Sequence, residues 1–162
     1  MTMRLFFLLL LLNLMPSVSF AEGQLPASSD GLYREIIRSV ANADFEAMAA
    51  TYHDDAVLVT MDSSRPISSM MPLWKAAGDK HKKAGGDAFL NFRFSSRLSS
   101  DSTTFETGIF RYGTRDRHGV EKFSYTHFQD LTVRKDNQWI TLMERQMGKA
   151  SLVEWDALPD WK

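Results

Sequence analysis

Residues 42–59 read NADFEAMAATYHDDAVLV, and the apolar period changes part-way along this stretch. Asp44 stands where a helix N-cap is wanted. Phe45, Met48, Ala49 and Tyr52 follow at three- and four-residue steps, which places one apolar stripe on a helix. His53, Asp54 and Asp55 interrupt that stripe and read as turn and capping residues. Ala56, Val57, Leu58 and Val59 then give a short run of aliphatic and β-branched residues, the composition of a strand. A helix turns directly into a strand.

Upstream, residues 1–21 read as a signal peptide. Arg4 supplies a positive start, an apolar run of about ten residues follows, and Ser19 and Ala21 offer small residues for cleavage. The run is too short to span a bilayer core, which takes about 20 residues, so no stable membrane anchor is expected after cleavage. The expected location is outside the cytoplasm, periplasmic or secreted. Removing the first 21 of 162 residues leaves 141; it takes away one of 19 basic side chains and none of 20 acidic ones, for a net charge of −2. Such a chain has little electrostatic capture for phosphate backbones, and nucleic acid is not an expected partner. There is no cysteine, hence no disulfide. At this length a single domain is expected, with a core that needs no staples.

Residues 22–28 read as a linker, and Ser28, Ser29 and Asp30 offer caps for a first helix with Tyr33, Ile36, Ile37 and Val40 on its apolar face. Residues 61–65 read as a turn. Ser69 would cap a third helix over 70–84, with Pro72 in its first turn, Lys80, Lys82 and Lys83 against its C-terminal dipole, and Gly85-Gly86 as the stop. Met71, Trp74, Gly78 and His81 share one side of that helix. From Asp87 the period becomes two: Leu90, Phe92 and Phe94 alternate with Asn91, Arg93 and Ser95. Three more strands follow, over 103–114, 120–134 and 138–147. Helices first and an antiparallel meander after is an α+β order.

Turn chemistry sets an expected register. A two-residue turn at Asp136-Asn137 pairs Lys135 with Gln138, Val133 with Ile140, Leu131 with Leu142, Gln129 with Glu144 and His127 with Gln146. A four-residue loop over 116–119 pairs Arg115 with Val120, Tyr112 with Phe123, Phe110 with Tyr125, Gly108 with His127 and Glu106 with Gln129. A three-residue loop would swap these faces. On this register Glu106, Gln129 and Glu144 form a polar row on an otherwise apolar inner face, with His127 beside Gly108. Left unpaired, such groups cost about 1–3 kcal/mol each, so they form a satisfied network at a wet or dimer-facing end, or they line a pocket. Carboxylates near an imidazole also separate in proton affinity, which suits acid–base work. No H-x-x-x-H or comparable spacing supports a metal, and no cofactor is implied.

The pattern A-x-x-Y-x-x-D-A at residues 49–56, with ETGIF at 106–110 and Asn137-Gln138-Trp139-Ile140, resembles the nuclear transport factor 2-like superfamily, which includes SnoaL-like polyketide cyclases and ketosteroid isomerases. The resemblance covers residues 29–147. It implies a curved antiparallel β-sheet wrapped by N-terminal helices into a cone with a central pocket, the cystatin-like α+β roll. It carries over an acidic position to Glu144, five residues after Trp139, and an aromatic one to Tyr52. The isomerase's base has no counterpart here, where the end of the first strand reads Val59-Thr60-Met61, which disfavours steroid isomerisation. Asp130 aligns loosely with that enzyme's second acid, but the expected alternation turns it outward.

Two functions follow. One is a module that binds a small apolar or aromatic ligand through Tyr52, Trp74, Glu106, Tyr112, Tyr125, Gln129 and Gln146, or that forms a homodimer through a sheet face bearing Phe128, Met143 and Trp139. The other is an isomerase, cyclase or dehydratase with Glu144 and His127 as acid and base. In the tail, residues 148–162, Leu152, Trp155, Leu158 and Trp161 recur every three positions, and Pro159 forbids a regular helix through the end. Two Trp side chains are costly to leave in water, so this tail is expected to dock.

Overall fold

The computed structural model describes residues 29–161, so the signal peptide expected at 1–21 and the linker expected at 22–28 lie outside the described residues. The elements run α1 (Asp30–Asn42), α2 (Phe45–Ala50), β1 (Tyr52–Val59), β2 (Ser64–Pro66), α3 (Ile67–Lys83), β3 (Asp87–Ser99), β4 (Thr103–Arg115), β5 (Glu121–Lys135), β6 (Gln138–Lys149) and α4 (Leu152–Ala157). This is an α+β fold on one six-stranded sheet, ordered β2-β1-β6-β5-β4-β3. The sheet is mixed where an antiparallel one was expected: β1 runs parallel to β6. The two are remote in sequence, so no hairpin dictates their relative sense.

Asp44 caps α2 as its position suggests, its carboxylate accepting the Ala47 amide at 3.1 Å. The helix stops earlier than its apolar stripe. The Thr51 hydroxyl donates to the Met48 carbonyl at 2.7 Å, and the Thr51 carbonyl accepts the Thr141 amide at 2.8 Å. That second bond ties the chain to the sheet, so Tyr52 begins β1, and His53, Asp54 and Asp55 are strand residues instead of a turn. Likewise α3 starts at Ile67, a buried residue delivered by the β1–β2 hairpin, and not at 70. Pro72 is therefore the sixth helical residue, beyond the first turn, and the Ser68 carbonyl lacks its helical donor.

Two apolar clusters hold the layers. Tyr33, Leu32 and Ile36 of α1 pack on Leu90, Phe92, Phe94 and Phe128 of the sheet, with the Tyr33 ring edge-on to Phe92 and Phe94 at 4.8 and 4.9 Å. Burying each such side chain stabilises the fold by about 1.5–3 kcal/mol. Ile67, Met70, Met71 and Trp74 of α3 pack on Ala56 and Leu58 of β1. The sheet face beneath α1 and α3 is called inner below.

The register departs from expectation in three places, one of them a shift between Phe128 and His127 that sets His127 opposite Gly148. Asp136 and Asn137 do form the two-residue turn, both at positive φ, and Lys135–Gln138 to Thr132–Thr141 pair as expected. A bulge then intervenes, because the Thr141 amide has turned to Thr51: Leu131 pairs with Met143 and Asp130 with Glu144. The β4–β5 loop has five residues, not four, with Arg115 opposite Glu121. The Asp116 carboxylate accepts the amides of His118 and Val120 at 2.8 and 3.0 Å, which draws Val120 into the loop. Each departure shifts the pairing by one residue. Glu106 and Glu144 consequently stay on one face, while the residue between them becomes Asp130, and Phe128 takes the place beside Gly108. A Cβ at Gly108 would meet the Arg93 carbonyl oxygen at 2.1 Å and the Phe128 ring at 3.0 Å, so only glycine allows β3 and β4 to approach there.

The tail docks. α4 opens with a capping box between Ser151 and Glu154. Trp155 is 4% exposed against Tyr125 on the outer face, beneath the guanidinium groups of Arg93 and Arg111 at 4.6 and 5.2 Å. Trp161 packs on Tyr33 and Phe94, on the inner side. The last residues thus pass around the free edge of β3, where Arg93 holds both the Trp155 carbonyl and Asp160.

Candidate functional site

A cavity of about 480 Å³ lies between the inner face and the helices. α2 contributes Phe45 and Met48, α3 contributes Trp74, Ala77 and Gly78, and the sheet contributes Phe92, Phe110, Tyr112 and Phe128. The Trp74 side of α3 forms its roof, as the helical stripe allows. Polar groups concentrate where β5 and β6 pass under Tyr52. Glu144 accepts from the Tyr52 hydroxyl at 2.7 Å through Oε2 and from the Gln146 amide at 2.7 Å through Oε1. Both oxygens accept, the pattern of a carboxylate. Asp130 lies opposite Glu144 in the register and is 5% exposed.

Burial pushes the Asp130 carboxyl well above the usual carboxylate range; the Glu144 charge adds to this, the Tyr33 hydrogen bond opposes it, and Glu106 adds again. Asp130 therefore holds its proton to higher pH than an exposed carboxyl does. Beneath it, the Tyr33 oxygen lies 2.8 Å from Glu106 and 3.1 Å from Asp130. A phenol has one proton, so these two contacts cannot both be its donations. Glu106, 0% exposed, is the anion of the pair: it also accepts from Arg97 at 2.7 Å, Ser29 at 2.7 Å and Thr104 at 3.1 Å. The two carboxyls therefore share the one phenol proton, and the shorter contact, to Glu106, is the better bond. Burial, then the charges of Asp130 and Glu106, push the Tyr33 phenol up as well, so it stays protonated. Tyr52 is raised by desolvation and by Glu144. Two buried oxygens, Asp130 Oδ1 and Thr141 Oγ1, have no hydrogen-bond partner, and both residues line the cavity.

Of the residues expected at a site, Tyr52, Trp74, Tyr112, Glu144 and Gln146 line the cavity together. Glu106 lies below it in the Tyr33–Arg97 network. His127, Tyr125 and Gln129 are on the opposite face because of the one-residue shift on β5: His127 faces Glu154 at 3.3 Å, Tyr125 packs on Trp155, and Gln129 accepts from Arg145 at 3.1 Å. The Glu144–His127 pair is therefore not assembled. Phe128 and Trp139, expected on a dimerising face, pack in the inner core. Asp130 faces inward, against the expected alternation. Its loose alignment to the isomerase's second acid was a signal for it; Thr141 had none.

No protein-family model and no curated protein sequence matches the chain. Solved structures do. The protein Aln2 from a Streptomyces species superposes with a TM-score of 0.64 at 14% identity, covering 76% of this chain and 93% of that one. An NTF-2 like protein of unknown function from Shewanella oneidensis gives 0.58 at 15% identity, covering 74% and 95%. A ketosteroid isomerase-like protein from Erwinia carotovora atroseptica gives 0.53 at 15%, covering 75% and 93%. The chain has the nuclear transport factor 2-like fold. Within this nuclear transport factor 2-like fold the cavity is a mostly apolar chamber with a polar wall at Glu144 and Asp130. That wall sets Glu144 opposite Asp130, whose carboxyl burial has raised.

Proposed function

We propose that the protein is an exported module that binds a small, largely apolar ligand in the inner cavity. The observation that carries this reading is the chamber itself: its volume falls within the range of small-molecule sites, its walls are mostly apolar with several aromatic rings, and convergent polar groups meet at Tyr52, Glu144 and Gln146. Proteins of this fold commonly bind small molecules, which supports it further. Phenylbutanol serves as a neutral probe. Calorimetry of the full chain should show saturable binding, and Thr126→Trp, which fills the cavity from β5, should abolish it without lowering Tm by more than a few degrees. Equal affinity for that variant, or no binding of this probe or of its amine and acid analogues, ends the reading.

A second reading, proton-transfer catalysis of the isomerase, cyclase or dehydratase kind, is favoured by two juxtaposed carboxyls, of which Asp130 is raised by burial. It uses Glu144 and Asp130 in place of Glu144 and His127. Export rests on residues 1–21. Self-association belongs to the same proposal, through a different surface from the one expected: Leu98, Phe105, Leu131, Met143 and Val57 form one apolar row across five strands of the outer face.

A further inference from the structure

The polar wall of the cavity is rich in acceptors and poor in donors. Glu144 has both oxygens turned to neutral donors, Tyr52 and Gln146, and neither it nor Asp130 meets Lys, Arg or His within ion-pair distance among the described residues. The half-buried Arg97 nearby is spent on Glu106 and Asp30. Asp130 turns one oxygen to Tyr33 and leaves Oδ1 unpartnered at a residue 5% exposed; Thr141, 2% exposed, leaves Oγ1 unpartnered beside it in the cavity lining. The Tyr52 proton and one Gln146 amide proton already go to Glu144. A ligand group that only accepts hydrogen bonds, such as a carbonyl, finds few donors here, and a carboxylate meets like charge. A primary ammonium has three donors, no acceptor and a positive charge. It matches Glu144 in charge and the two unpartnered oxygens in hydrogen bonding. Phe45, Trp74, Phe92 and Phe110 offer the remaining volume to an apolar body, with aromatic faces that also favour a cation. His81 and Lys82 of α3 line the cavity as well; the Lys82 Nζ is exposed and bonded to the Asn42 carbonyl at 2.8 Å.

We infer that the ligand of this cavity is a small primary amine with an aryl or alkyl body, its ammonium seated between Glu144, Asp130 and Thr141. This rests on the binding reading above and narrows it. The test uses one apolar skeleton with three heads, phenylbutylamine, phenylbutanol and phenylbutyrate, titrated calorimetrically into the full chain at neutral pH. The amine should bind at least about tenfold more tightly than the alcohol, and the acid least. Glu144→Gln should bring amine and alcohol to within about twofold, with alcohol affinity retained, which also reports that the variant is folded. The three-ligand comparison on the unaltered chain stands even if that variant fails to fold. Alcohol binding as tight as the amine, or the acid binding tightest, overturns the inference and leaves the cavity reading intact; no binding by any of the three removes both.

Discussion

Asp130 holds its proton to higher pH in the folded chain than in the unfolded one, where it titrates near pH 4, and this difference is measurable as stability. With the folded carboxyl raised, the native state binds more protons than the unfolded one from about pH 4 up to its own titration, so stability falls as pH rises through that window by up to about 1.4 kcal/mol per unit. Tyr33 and Tyr52 are also raised, but from an alkaline starting point, and act only above about pH 9. Glu154 is lowered by its bonds to Ser151 and then by His127, so its contribution is present above its unfolded titration and is lost as pH falls below it. Above about pH 4, therefore, Asp130→Asn should remove a downward slope: its Tm relative to the native chain is expected to climb until the native carboxyl has titrated. Parallel melting profiles would show that Asp130 ionises in the native state. Alternation alone could not place this residue, since its face depends on a loop length that Asp116 sets through side-chain bonds to two amides.

At the scale of elements, the parts that local chemistry governs were legible. Asp44 as a cap, the Lys-rich end of α3 before Gly85, and the Asp136-Asn137 turn each follow from neighbours in sequence. What escaped was set by long-range bonds, apart from the β4–β5 loop that Asp116 lengthens. The Thr141 amide leaves β5 for Thr51, ninety residues earlier, and the resulting bulge moves Asp130 opposite Glu144. Two one-residue shifts, one at the β4–β5 loop and one at this bulge, cancel across the sheet, which is why Glu106 and Glu144 were read onto the correct face while His127 and Gln129 were not. Gly108 shows the same dependence on a distant partner. Gly108→Ala forces a Cβ against the Arg93 backbone, which cannot move without breaking the β3–β4 ladder, and should destabilise the fold by about 1–3 kcal/mol. Chemical denaturation would report it as a lower midpoint at unchanged slope, and an unchanged midpoint would mean that the bulge at Phe94 relaxes freely.

At the scale of the whole molecule, β3 is the exposed end of the sheet, and a long edge of 13 residues invites pairing with another chain. The tail passes around it, with Trp155 on the outer side and Trp161 on the inner, and both sides are joined to the same strand through Arg93 and Phe94. Trp161 also reaches α1, where its indole donates to Asp30 at 3.3 Å, so the tail fastens the helix that supplies Tyr33 to the site. Docking was legible as two Trp side chains needing cover; the path around an edge was not, since it depends on Arg93 and Arg111 standing side by side on neighbouring strands. Trp155→Ala should cost about 3–5 kcal/mol, the range for a buried aromatic, and lower Tm by roughly 10 °C. Ending the chain after Lys149 should cost at least as much and, by freeing the β3 edge, raise the tendency to aggregate. Differential scanning calorimetry with light scattering on the three chains decides the point. A truncated chain that melts where the native one does, without added aggregation, would show that the edge needs no cover and that the tail contributes nothing to the site beneath it.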